Sequence, residues 1–173
     1  HNYAFKTVPQ TFLNNRRGYQ PRGKVLGGSS SINAMLYVRG NPADYDEWAA
    51  MGNPGWSYNE VLPFFKKAEH NEQFVNDFHG QHGPFNVTYP RHQSDLTPVF
   101  LEAAQSMGLC QNPDYNGTSQ EGCFEFQVTH RNGERCSTAL AYLTPNLNRP
   151  NLTVIVKAVT ERILFKDKRA VGV

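Results

Sequence analysis

The densest run of residue types able to do chemistry lies between Arg22 and Gly40, reading RGKVLGGSSSINAMLYVRG. Gly27 and Gly28 remove side-chain bulk from two consecutive positions, and Ser29, Ser30 and Ser31 then supply three hydroxyls ahead of an apolar segment. A loop of that composition lets backbone N–H groups approach a ligand closely. Just upstream, Gly18, Gly23 and Lys24 repeat the glycine and lysine spacing of a phosphate-binding loop. That loop needs Ser or Thr after the lysine to hold Mg²⁺ and a buried strand before it. Here Val25 follows the lysine, and Asn14 to Arg22 is polar and carries Pro21, so a nucleotide-hydrolysing site is not expected.

Other reactive residues are scattered. His70, His79, His82, His92 and His130 lack metal-ligand spacing and sit in loop-like surroundings, which predicts solvated side chains and no metal. Cys110, Cys123 and Cys136 are odd in number and too far apart for a zinc site or a disulfide framework, and read as buried or incidental thiols. Three Asn-x-Thr triplets, at Asn86, Asn116 and Asn151, fit the glycosylation pattern but are of a kind that arises by chance in an Asn-rich chain.

The elements that must position the glycine-serine loop can be read from local signals. Asn41 as N-cap, Pro42 at the first helical position and the acids Asp44, Asp46 and Glu47 predict a helix whose apolar face includes Tyr45, Trp48 and Met51. After the break at Asn53-Pro54-Gly55, Ser57 and Glu60 form a capping-box pattern for a second helix, in which Pro63 is expected near the first turn. Asn71 to Gly83 shows neither helical nor strand period and predicts a surface loop, followed by a short strand over Pro84 to Tyr89. Thr97 and Pro98 open a third helix, ended by Gly108. Phe124, Phe126 and Val128 alternate with Glu125 and Gln127, and Asn132-Gly133 then predicts a tight antiparallel hairpin. Ser137 is expected to cap a short helix through Leu143, and Asn151 to Val156, Thr160 to Phe165 and Ala170 to Val173 read as strands.

Composition bounds the rest. With 173 residues, 39% hydrophobic, 12% aromatic and 18% charged, the chain has the make-up of a packed protein, one domain or parts of two. A formal net charge of +2 with dispersed Lys and Arg argues against nucleic acid as a partner. No apolar run approaches the roughly 20 residues of a membrane span, so a cytoplasmic or peripherally membrane-associated protein is expected. The opening HNYAFKTVPQ has neither an initiator Met nor a signal-peptide pattern, which suggests an incomplete chain.

The full order Gly23-Lys24-x-Leu26-Gly27-Gly28-Ser29-Ser30-x-Ile32-Asn33, followed by Tyr37, Arg39-Gly40-Asn41 and an acidic helix reaching Trp48, resembles the first signature of the glucose-methanol-choline oxidoreductases. The resemblance continues through Gly55-Trp56-Ser57, Leu62 to Glu69, Asn132 to Ser137, Tyr142 to Pro145 and Arg149 to Val154, and so covers essentially the whole chain. The wording is most similar to the choline dehydrogenase and bacterial alcohol dehydrogenase branch.

The resemblance implies an α/β to α+β fold, the internal portion of a two-domain enzyme with a Rossmann-like FAD-binding domain and an antiparallel-sheet substrate domain. Residues 1–70 and 137–173 would belong to the FAD domain, and 71–136 to the substrate domain, including Phe126-Gln127-Val128. It further implies FAD as cofactor, with Gly28 in the glycine loop, Ser29 near the ribityl and phosphate portion, Asn33, Ala34, Met35 and Leu36 along the flavin ring, a backbone contact from Val25, and a backbone contact to adenine near Thr160. Relatives that attach the flavin covalently carry His where this chain has Ile32, so noncovalent FAD is expected.

The implied activity is oxidation of choline or another primary alcohol to the aldehyde, with a small-molecule alcohol as partner and the electron acceptor left open. The dinucleotide glycine motif and the His/His or His/Asn catalytic pair are absent from this sequence, so no catalytic residue is assigned within it, and the remainder of the same polypeptide would supply both. A flavin-containing lyase of the same family and a non-catalytic binding module are the alternatives.

Overall fold

The computed structural model describes residues 1–173. There are three helices, α1 (Pro42–Ala50), α2 (Tyr58–Ala68) and α3 (Leu96–Ser106), the first two opened by side-chain caps. The predicted capping box at Ser57–Glu60 is present, and the predicted N-cap Asn41 forms one too. Asn41 accepts from Ala43 N at 3.0 Å while Asp44 receives Asn41 N at 3.1 Å, and Glu60 receives Ser57 N at 3.1 Å. Each pairing satisfies donors that a helix start leaves without partners. The expectation for Pro63 needs correction, since it lies inside α2 rather than at its start. Proline has no N–H for the preceding turn, so the helix carries one backbone bond fewer there. Edge-on aromatic packing ties the two helices together, with Tyr45 and Phe65 ring centroids 5.7 Å apart and Trp48 and Trp56 5.6 Å apart.

The strands are short. Antiparallel hairpins pair β1 (Phe5–Lys6) with β2 (Tyr19–Gln20), β5 (His130–Arg131) with β6 (Glu134–Arg135), and β7 (Leu164–Lys166) with β8 (Arg169–Gly172). The β5–β6 turn is built as predicted, with positive φ at Asn132 (54°) and Gly133 (81°). In contrast, β3 (Glu69–Asn71) and β4 (Phe85–Val87) pair in parallel.

Single bridges extend that parallel pair into a small mixed sheet. Val128 bridges Thr88 on one side and Leu36 on the other, through Val128 N to Thr88 O at 2.7 Å, Thr129 N to Met35 O at 2.9 Å and Tyr37 N to Gln127 O at 3.0 Å. Segments 69–72, 85–88, 127–129 and 35–37 therefore lie edge to edge, and the apolar end of the Arg22–Gly40 run is the outermost of them.

Several expectations change. The alternation over 124–128 places Gln127 inside (1% exposed) and Phe126 outside (38% exposed), because residues 127–129 are flanked by strands and covered on both faces. The stretch Asn71 to Gly83 is not simply a surface loop, since Asn71, His79 and Gly80 are buried. Residues 151–156 and 160–163 form no strands, and every residue from Asn151 to Val173 is exposed. Their β-forming side chains have no neighbouring backbone in this chain to complete a ladder, and a strand without a partner leaves its N–H and C=O groups unpaired. Ser137 does cap the turn after β6, accepting from Leu140 N at 3.3 Å, although Ala139–Leu143 winds as a single π turn.

Candidate cofactor site

The glycine-serine loop closes on itself. Gly23 lies so near Gly28 that a Cβ at Gly23 would stand 2.1 Å from the Gly28 carbonyl, while Gly28 has φ +54° and open space where its own Cβ would be. Gly23 leaves no room for a side chain, whereas at Gly28 glycine is favoured by the left-handed backbone alone. From Gly28 to Ser31 it makes one 3₁₀ turn.

The three serine hydroxyls build the loop. Ser29 Oγ accepts from Gly23 N at 3.2 Å, Ser31 Oγ donates to Leu26 O at 2.8 Å, and Ser30 Oγ donates to Gly27 O at 2.5 Å. Ser30 Oγ also accepts from Thr138 N at 2.9 Å, so the segment after β6 is stapled to the loop. Arg135, at the end of β6, adds a second staple: its guanidinium donates to Ser30 O at 2.9 Å, Asn33 Oδ1 at 2.8 Å and Asn33 O at 2.9 Å.

Ser30 and Ser31 spend their hydroxyl hydrogens inside the loop, whereas Ser29 Oγ only accepts there, which leaves its O–H and several amides to meet a ligand. The backbone N–H groups of Ser29, Ala34 and Leu36 donate to no acceptor in the chain. Leu36 is the member of its antiparallel bridge whose N–H and C=O point away from the partner strand. Ile32, Asn33, Ala34 and Leu36 have exposed side chains, and Met35, half-buried, takes φ +66°. Val25 lines a cleft of about 580 Å³ with Tyr3, Leu26 and residues 155–159, so the loop and the carboxyl-terminal segment face one another there. Thr160 lies one residue beyond that lining and is exposed. Val25 lines that cleft, while Leu36 lines a different one of about 500 Å³ with Phe126 and Val128, and Gly28, Ser29, Asn33, Ala34 and Met35 lie along the loop between them.

Behind this surface stands a charged cluster that the sequence reading missed. Arg39 Nη2 donates to Glu69 Oε2 at 2.7 Å, and Nη1 to Phe78 O at 2.7 Å. The His79 ring lies between two carboxylates, Nδ1 at 2.9 Å from Glu69 Oε1 and Nε2 at 2.9 Å from Asp114 Oδ1. Each ring nitrogen thus faces a carboxylate acceptor, an arrangement that favours the doubly protonated ring at a site only 3% exposed. The expectation of a solvated side chain fails for this histidine because its partners lie 10 and 35 positions away, beyond any local pattern.

Burial opposes charge at all three titrating groups, and pairing outweighs it. Burial pulls His79 down, but bonds to Asp114 and Glu69 leave its pKa raised. Burial pushes Glu69 up, but His79, Arg39, Asn71 and Gly80 N–H hold it below the usual range. Asp114 is likewise lowered, with His79 and Asn76 overcoming burial. Beside them, Asn71 and Gln127 exchange two carboxamide bonds of 3.0 and 3.1 Å. Burial raises the Tyr115 hydroxyl to about 12, so it stays protonated, donating to Tyr37 O at 2.8 Å and accepting from Gln127 N at 2.9 Å. Arg39, Tyr37 and Gln127 all adjoin the strand that carries Met35 and Leu36, so the cluster anchors the far end of the candidate surface. No group of His, Cys, Asp and Glu is arranged to hold a metal ion, and the three cysteines are free, with Cys110 exposed.

A glycine-closed loop stapled from a hairpin, offering unpaired amides beside apolar side chains, has the geometry to cradle a ligand through its backbone and presents no activated nucleophile. Residues 5–173 match the family model described as GMC oxidoreductase, and the chain belongs to that family. It is 43% identical over 173 residues to an alcohol dehydrogenase (acceptor) of Pseudomonas putida, covering 99% of this chain and 31% of that protein. To an oxygen-dependent choline dehydrogenase of Stenotrophomonas maltophilia it is 48% identical over 177 residues, covering 100% and 31%. Among solved structures, pyridoxine 4-oxidase from Mesorbium loti superposes with a TM-score of 0.88 at 30% identity over 98% of this chain and 34% of that one. An FAD-dependent oxidoreductase from Chaetomium thermophilum gives 0.89 at 32% identity over 98% and 32%. The chain therefore spans about a third of the length of these relatives. The fold is shared with these oxidoreductases over nearly the whole chain, and no helix is long and apolar enough to cross a membrane.

Proposed function

We propose that this chain forms the flavin-facing loop of an FAD-dependent oxidoreductase that oxidises choline or another primary alcohol to the aldehyde. The observation that carries the reading is the set of unpaired N–H groups at Ser29, Ala34 and Leu36, set among the exposed side chains of Ile32, Asn33, Ala34 and Leu36. An isoalloxazine ring needs hydrogen-bond donors along its polar edge and apolar cover elsewhere, and this surface offers both. Ser29 and Gly28 would meet the ribityl and phosphate portion, Asn33 to Leu36 the ring, Val25 the same stretch through its backbone, and Thr160 the adenine.

When bound, the flavin supplies an acceptor for the hydride that leaves the alcohol carbon, while the hydroxyl proton goes to a base elsewhere in the polypeptide. This chain's own residues bind and orient. Arg135 and Thr138 hold the loop, the Arg39 cluster holds the strand behind it, and Leu36 and Met35 keep water from the ring. Ile32 offers no nucleophile, which supports noncovalent attachment. Residues 1–70 and 137–173 would form part of the FAD domain and 71–136 part of the substrate domain.

The test is spectroscopic. Full-length protein should purify yellow, release its flavin on denaturation, and bleach when an alcohol substrate is added without oxygen. A folded but colourless protein that takes up no added FAD overturns the proposal, and a yellow protein that no alcohol bleaches restricts it to cofactor binding.

A further inference from the structure

Arg135 decides which end of the Asn33 carboxamide faces outward. A guanidinium has donors only, so the Asn33 atom 2.8 Å from Arg135 Nη1 must be the oxygen. That oxygen also accepts from Met35 N at 3.1 Å, which fills its two lone pairs. The Asn33 amino group donates to nothing in the chain, and the side chain is exposed. Carboxamide orientation is often ambiguous, but here two donors behind the residue remove the ambiguity.

We propose that Arg135 is a positioning residue that locks Asn33 as a hydrogen-bond donor toward the cofactor, so that Asn33 meets an acceptor atom of the flavin ring and not its N3–H. This rests on the flavin reading above. Arg135 has the geometry for the role: its fork also grips the Ser30 and Asn33 carbonyls, fixing the backbone that carries the amide. A charged, forked donor orients a carboxamide more firmly than a neutral partner. Hydrogen bonding at the ring edge is one of the protein's means of tuning flavin electronics.

The experiment uses the full-length holoenzyme and a double-mutant cycle. Arg135→Met frees the carboxamide to rotate, Asn33→Ala removes it, and both are compared with the double variant. FAD should dissociate up to about tenfold more readily from Arg135→Met, the upper scale of one neutral hydrogen bond. The flavin's visible spectrum and midpoint potential should shift, and the shift should vanish when Arg135→Met is made on the Asn33→Ala background. Arg131→Met serves as the folding control, because Arg131 lies on the same hairpin but donates to Pro84 O at 3.0 Å, away from the loop. It should leave the spectrum and potential unchanged.

An Arg135→Met protein with unaltered spectrum and potential overturns the proposal, as does a shift that persists undiminished without Asn33. If Arg135→Met does not fold, Arg135→Lys keeps the charge without the fork, and an unaltered spectrum in that variant likewise counts against it. A wild-type protein that holds no flavin would instead overturn the function proposed above, so the two failures are distinguishable.

Discussion

Residues 69–87 and residues 151–173 exchange the roles their compositions suggest. The first stretch is rich in Asn, Gln and His, yet Glu69, Asn71, His79, Asn86 and Val87 are among the most buried residues of the chain. The second is rich in Val, Leu and Ile, yet it is exposed throughout, with Ile155 at 76% and Val159 at 68%. Side-chain polarity does not explain this. Polar groups can be buried when every donor and acceptor finds a partner, whereas apolar side chains gain nothing until another surface arrives to cover them. The polar middle finds its partners inside the chain, at Arg39, Asp114 and Gln127. The apolar end does not.

The comparison breaks most severely at the buried charges. Replacing Glu69 by Ala in the full-length protein leaves Arg39 and His79 buried without their shared acceptor, and should cost about 3–5 kcal/mol of stability, read from denaturant unfolding. A loss under about 1 kcal/mol, the range of exposed ion pairs, would show that water reaches the cluster.

The next test separates the two regions directly. With residues 1–173 expressed alone, amides such as Gly80 N, bonded to the Glu69 carboxylate at 2.8 Å, should exchange with solvent far more slowly than those of 151–163. In the full-length protein the second set should become protected as well. Slow exchange in both regions of the isolated chain would contradict the contrast.

Protons test the cluster on a finer scale. His79 has a raised folded pKa, so its contribution is complete below its unfolded value of about 6.5 and is lost as pH rises through the folded value. Glu69 and Asp114 have lowered pKa values, so their contribution is present above about 4 and is lost as pH falls through the folded values. The cluster should therefore stabilise best between those limits. In His79→Gln the fall in melting temperature on the alkaline side should flatten while the acid side keeps its Asp114 and Glu69 dependence in weakened form. An unchanged alkaline limb would mean that His79 is not the cation the geometry favours.

The smallest effect belongs to the loop. Gly28→Ala meets no steric neighbour but forces a Cβ onto φ +54°, which should cost about 1 kcal/mol and lower FAD retention only modestly. Gly23→Ala, whose Cβ would collide with the Gly28 carbonyl, should be clearly worse in the same melting and flavin-content assays.

The parts legible in the sequence share a short range. Asn41 with Asp44, Ser57 with Glu60 and Asn132 with Gly133 each act over no more than three positions, and each forms as the residue types require. The glycine-serine run was legible for the same reason, since Gly23, Gly28 and Ser29 close a loop within a few residues. Strands over 151–156 and 160–163 were misread because β propensity describes a side chain's fit to a sheet and does not supply the sheet. His79 was misread as solvated because nothing near it in sequence indicates two carboxylates.

The sequence by itself thus determined the helix caps, the hairpin turn and membership of the GMC oxidoreductase family. Only the tertiary structure decided that Gln127 lies inside, that the His79 ring is buried between Glu69 and Asp114, and that Arg135 turns the Asn33 amino group outward. Those outcomes depend on contacts between residues as much as 102 positions apart, such as Arg135 with Asn33. A local pattern can specify a turn or a cap because all its hydrogen-bonding groups are close along the chain. The partner of a buried charge is set by which backbone segments pack together.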